Sequence, residues 1–167
     1  MKNFVILFII SILIAAFVPK DDPALNLSDL KNINGEWVGY LMYKDYSNNK
    51  EVVIPAQLLV THSDTSQYTW LFAISYPDEP HMNNSSSISM SIDGNKFDNE
   101  FLISKNYLTD SSLHFITEST GEDNEKKATL RHIYTFSNIE IVIRKEVKYD
   151  GENEYFFRNE YKVKREI

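Results

Sequence analysis

Chemistry, if this chain performs any, has few places to sit. His132 is the most distinctive, falling between Leu130, Tyr134 and Phe136 in a period-two pattern. A strand there would put an imidazole on the same face as a phenol and two apolar side chains. A neutral imidazole in that setting can orient the polar end of a ligand, hold an iron, or serve as a hydrogen-bonded core residue. Asp78, Glu79 and His81 cluster around Pro80, and Glu122, Asp123 and Glu125 form a second acidic group. Neither has the spaced partners of a metal centre, so both read as solvated loops. No Gly-x-Ser-x-Gly, His-Glu-x-x-His or phosphate-binding glycine loop occurs. Most carboxylates fall on wet faces or in turns, where nothing would tune them for acid or base work. The expectation is therefore no enzyme, no catalytic residue, no metal and no cofactor.

The elements that must position His132 are strands. Residues 34–43 carry Trp37 between Gly35 and Gly39, with Leu41 and Tyr43 on the same face as the indole. Residues 51–62 alternate Val52, Ile54, Ala56, Leu58 and Val60 against a second face, with Pro55 requiring a bulge or an unpaired position. Tyr68, Trp70, Phe72, Ile74 and Tyr76 form the richest aromatic stripe, and Ile88, Met90 and Ile92 alternate with serines. Asp93-Gly94-Asn95 is a hairpin signal. Phe97, Phe101 and Ile103 then read as one face of a single strand, with Asp98 and Glu100 opposite. Leu113, Phe115 and Thr117 follow, then a charged loop at 121–127 and the His132 stripe. Ile139, Ile141 and Ile143 come next; after a hairpin at Asp150-Gly151, Tyr155, Phe157, Tyr161 and Val163 share a face. Nine or ten closely spaced strands with one apolar face each predict an all-β, antiparallel up-and-down barrel of 8 to 10 strands, since closure removes exposed edges.

Length and composition fit that reading. The chain has 167 residues, 43% hydrophobic and 13% aromatic, enough for one core and too little for two domains. A formal net charge of -7 argues against nucleic acid, whose phosphates call for clustered cations. Cysteine is absent, which removes disulfides, thiolate catalysis and thiolate metal sites together. Lys2 precedes an apolar run at residues 4–18, and a polar segment follows from Pro19. That order has the form of a secretory signal peptide helix over 1–20, too short for the roughly 20 residues of a spanning helix. Periplasmic or secreted export is expected, with no stable span after cleavage; the alternative is an uncleaved N-terminal anchor. Residues 21–33 read as a connector with a short helical turn capped by Ser28 or Asp29, and 34–167 as the barrel.

Asp29-Leu30-Lys31, then Gly35-Glu36-Trp37 at the head of the first strand, then a long meander, resembles the lipocalins and the wider calycin group. The resemblance implies that the tryptophan sits at the closed end of the barrel, with an arginine of the last strand, here Arg165 or Arg158, packed across it. It also implies an enclosed cavity that binds a small hydrophobic or amphipathic ligand. The interior candidates are Trp37, Leu41, Tyr43, Leu58, Trp70, Phe72, Phe101, Phe115, His132, Tyr134, Phe157 and Tyr161. Of these, Tyr43, His132, Tyr134 and Tyr161 are the polar groups to orient a ligand. Three alternatives stay open: a filled barrel whose loops contact another envelope protein, a haem-binding barrel resembling nitrobindin through His132, and a small enzyme acting within the cavity.

Overall fold

The computed structural model describes residues 22–166. The signal-peptide reading of residues 1–20 therefore lies outside the described residues. Ten strands form one antiparallel sheet: β1 Gly35–Lys44, β2 Glu51–His62, β3 Thr69–Ser75, β4 Asn84–Ser89, β5 Lys96–Phe97, β6 Glu100–Tyr107, β7 Leu113–Asp123, β8 Lys126–Phe136, β9 Glu140–Tyr149 and β10 Phe156–Arg165. Their order is β4-β3-β2-β1-β10-β9-β8-β7-β6-β5, so each strand lies beside its sequence neighbour and the last returns to the first. The remaining gap, between β4 and β5, is bridged by a single pair, Met90 opposite Phe97. Two backbone bonds flank the bridge, Asp98 N–H to Ser89 O at 2.8 Å and Ser91 N–H to Lys96 O at 3.0 Å. The sheet is thus a nearly closed barrel, which explains why most of its strands carry one apolar face.

One end is sealed. A 3-10 turn at Leu27–Asp29 crosses it, and Leu25, Leu30 and Ile33 pack beneath Trp37, which is 1% exposed. The turn begins two or three positions earlier than the sequence suggests: Asn26, rather than Ser28 or Asp29, is the capping residue. Its N–H donates to Asp29 Oδ2 at 2.6 Å. The indole N–H donates to Ile33 O at 3.0 Å. Arg165 lies over the indole face at 4.1 Å and donates to Asn32 O, Asn34 O and Asn138 O. One side chain therefore ties the connector, the β8–β9 turn and the last strand to the tryptophan.

Gly39 has a different task. A Cβ there would lie 2.1 Å from Lys162 O. Only glycine lets β1 and β10 approach so closely where the ribbon returns on itself.

Three local features depart from the sequence reading. Asp98 and Asn99 both take positive φ, 52° and 63°, and form a two-residue hairpin between β5 and β6. Mirror-image turns of this kind favour Asn, Asp and Gly. The expected single strand is therefore two, and the side-chain alternation restarts after the turn: Glu100 and Leu102 are buried, whereas Phe101 is 57% and Ile103 48% exposed. In β10 the register slips between Phe157 and Asn159, a bulge. It leaves Phe157 opposite Glu146 on the outer wall, under Arg144, while Tyr161 and Val163 face inward. Finally, Asn124 and Glu125 replace the expected loop at 121–127 with a tight turn joining two long strands. Pro55 sits opposite Tyr40 in the part of β2 that extends beyond the β3 ladder, so the unpaired position is realised without a bulge.

Candidate functional site

The inward side chains fall into levels along the barrel axis. At the floor the aromatic rings interlock: Phe115 stacks on Tyr134 at 4.5 Å between centroids, and Phe97 meets both edge-on at 5.3 and 5.2 Å. Trp37, Leu58, Trp70, Phe72, Phe115 and Tyr134 are all 3% exposed or less. These six sequence candidates are brought together, and they fill the lower barrel as a dry core.

Above them lies a polar belt. Glu100, Thr117 and His132 stand on three consecutive strands, β6, β7 and β8, with Thr117 directly opposite His132. Thr117 Oγ1 donates to Glu100 Oε2 at 2.5 Å, Ser119 Oγ to Oε1 at 2.9 Å, and His132 Nδ1 lies 2.8 Å from Oε2. Burial alone would raise the Glu100 pKa, but the three hydrogen bonds and the neighbouring imidazole reverse that and hold it below the ordinary glutamate value. A charged carboxylate only accepts, so Nδ1 carries a proton and Nε2 is left for another partner. Nε2 makes no hydrogen bond among the described residues. Across the interior, Tyr76 and Tyr161 hydroxyls meet at 2.5 Å, and burial followed by that contact pushes the Tyr161 pKa well up.

The side chains at and above the belt are less enclosed. Leu41, Tyr43, Ile54, Leu130, His132, Ile143 and Tyr161 share the inward face with fully buried residues further down, yet each is only half-buried. Solvent reaches this level. Asn84 and Ser86, on the inward face of β4, are exposed because β5 and β6 are too short to cover them. On the opposite side the mouth is narrowed by Asp123, which accepts from the Tyr46 and Tyr149 hydroxyls. Asp123 also lies 3.5 Å from Arg158 Nε and 3.8 Å from Lys145 Nζ. Arg158 stacks over the Tyr46 ring at 4.0 Å and donates to Lys44 O, fastening the β1–β2 loop to β10.

No protein-family model matches this chain, and no curated protein matches it either.

Ten of the twelve sequence candidates face the interior, six in the floor and four, Leu41, Tyr43, His132 and Tyr161, at the accessible level. Phe101 and Phe157 do not join them, for the turn and the bulge already described reverse their faces. Single-strand alternation puts Glu100 on the wet face, whereas the hairpin turns it inward, where it fixes His132. The Asp98-Asn99 pair is the signal that would have found it. Tyr134 is closed off by the aromatic floor, so its hydroxyl is a core group; burial, then the charges of Glu100 and Asp98, push its pKa far up. Among the described residues no group of three or more metal-ligating side chains occurs.

Proposed function

We propose that the protein is an exported, lipocalin-like carrier that holds a small amphipathic molecule in the upper half of its barrel. The observation that carries this reading is the change in enclosure along a single face: inward residues at 0 to 3% exposure in the floor give way to half-buried apolar ones around the polar belt. A molecule resting on Leu41, Ile54, Ile143 and the top of the aromatic floor would bury apolar surface at roughly 25 cal/mol per Å² before the cost of association. His132 Nε2 and the Tyr76–Tyr161 hydroxyl pair would give its polar end a fixed place.

The test uses a fluorescent apolar probe, 1-anilinonaphthalene-8-sulfonate, together with mass spectrometry of small molecules released from the purified protein. The wild type is expected to take up one probe per chain, and Leu41→Trp, which fills the accessible level, is expected to lose that uptake while melting within a few degrees of the wild type. Probe uptake indifferent to Leu41→Trp, with no small molecule released, would remove the carrier reading. It would leave a filled barrel acting through its surface.

A further inference from the structure

Apolar side chains are uncommon at the tips of tight turns, where polar residues face water. At the sealed end of this barrel three turns break that pattern. Ile92, between β4 and β5, is 83% exposed; Ile139, between β8 and β9, is 70% exposed; Leu108, between β6 and β7, is 44% exposed. Ile92 and Ile139 are the most exposed of the large apolar residues in the described chain. All three turns are tied to the connector that crosses this end or to Arg165 beneath it. The Ile92 turn holds the connector through Leu25 N–H to Gly94 O at 2.9 Å, and Tyr107, beside Leu108, donates to Asp29 of the same connector. The Ile139 turn is bonded to Asn32 and Arg165.

The same end receives the chain from its apolar run. Residues 19–24 separate residue 18 from Leu25, and the seven steps from one to the other reach about 25 Å at full extension. β1 alone, with ten residues, is about 33 Å long. On the alternative of an uncleaved N-terminal anchor, a bilayer entered by residues 4–18 lies nearer the sealed end than the mouth. Most of the lysines near this end are already paired: Lys105 with Asp29 at 2.6 Å, and Lys162 and Lys164 with Glu140 at 3.8 and 4.0 Å, leaving the exposed Lys31 of the connector outside these pairs.

We propose that the sealed end is a lipid-facing surface, on which Ile92, Leu108 and Ile139 enter the interfacial layer of the bilayer that receives the N-terminal run, with the mouth turned toward water. Ligand binding in the barrel plays no part in this inference. The contact is apolar, so it persists in about 1 M salt, where charge attraction is screened beyond about 3 Å.

The absence of cysteine permits single labels. Ile139→Cys and Ile92→Cys at the sealed end, and Gly151→Cys at the mouth, are each coupled to an environment-sensitive fluorophore in the full chain reconstituted with phosphatidylcholine vesicles. Labels at 92 and 139 are expected to shift to the blue and to be quenched by brominated acyl chains, in low and high salt alike, while the label at 151 stays in water. A protein merely tethered by its N terminus would leave all three labels in water, and equal quenching at both ends would mean no orientation. Either result overturns the proposal. Labels dehydrated before vesicles are added, with a doubled mass by light scattering, would assign the surface to a second copy of the chain and overturn it equally.

Discussion

Glu100 and His132 stand on strands with β7 between them, and their side chains meet inside the barrel at 2.8 Å. The pair is buried on one side by the aromatic floor and open on the other to the level that solvent reaches, so the carboxylate sets both the tautomer and the direction of the imidazole. Its energetic effect is readable from pH. The folded-state pKa of Glu100 lies below the ordinary 4.5, so the stabilisation is complete above that value and is lost as pH falls through the folded-state titration. Glu100→Gln is expected to cost about 1 to 3 kcal/mol at pH 7, because Thr117, Ser119 and His132 lose a charged acceptor. Urea denaturation at a series of pH values should show the gap between the two proteins closing below about pH 4. A gap constant with pH would mean that the carboxylate is not the titrating group.

At the alkaline side the relevant groups are Tyr134 and Tyr161, both raised above the ordinary 10.0. The unfolded chain ionises them first, so their contribution is full below pH 10 and declines as pH rises past it. Absorbance of tyrosinate is expected to show these two appearing only with unfolding, and Tyr161→Phe should remove one such late-titrating group. If every tyrosine titrates reversibly before the far-ultraviolet signal changes, the burial assigned to both is wrong.

Gly39 and Gly151 make opposite demands on an added methyl group. At Gly39 it would strike the Lys162 carbonyl, whereas at Gly151 it meets open space and only the φ of 87° opposes it. Gly39→Ala is therefore expected to cost at least about 3 kcal/mol, at the upper end for overpacking, or to prevent folding, and Gly151→Ala about 1 kcal/mol. Thermal melting of the two variants measures the difference. Equal effects would show that β1 and β10 can separate without penalty.

The mouth gives a kinetic prediction. Asp123→Asn weakens the contacts with Arg158 and Lys145 and so frees the loop that carries Tyr46. Amide hydrogen exchange in residues 45–50 should quicken, and probe association should speed severalfold with a stability loss of about 1 kcal/mol or less. Unchanged exchange in that loop would show that Asp123 does not hold it.

The resemblance counts Trp70 among the residues lining an enclosed cavity. At 2% exposure, with its indole 5.4 Å from the His62 ring at the sealed half, it belongs to the core. Its removal should instead cost about 3 to 5 kcal/mol, as for Trp37→Ala. A calorimetric loss below about 1 kcal/mol would return Trp70 to the accessible level.

The barrel itself was legible because strand alternation is written into Val52 to Val60 and Trp70 to Tyr76; the arginine over Trp37 was implied by the resemblance, and of the two candidates it is Arg165. The site was legible only in half. His132 follows from its stripe, but Glu100 depends on a turn made without glycine, and a hairpin of two polar residues leaves no gap in a run read as one strand. Phe157 was misplaced for a related reason: a single extra residue at Arg158 changes which face every earlier residue takes. Asp123 was hidden among Glu122 and Glu125, whose identical chemistry says nothing about which of the three turns inward.

The join between β4 and β5 has a mechanical consequence. It is a suture of one bridge and a few backbone bonds, set in a wall whose other strand pairs are joined by ladders. Parting it leaves the long hairpins of β7 to β10 and the β1–β10 return intact. The wall is therefore thinnest in backbone bonds along this seam, where the buried side chains of Ile88, Met90 and Phe97 do the closing that a ladder does elsewhere.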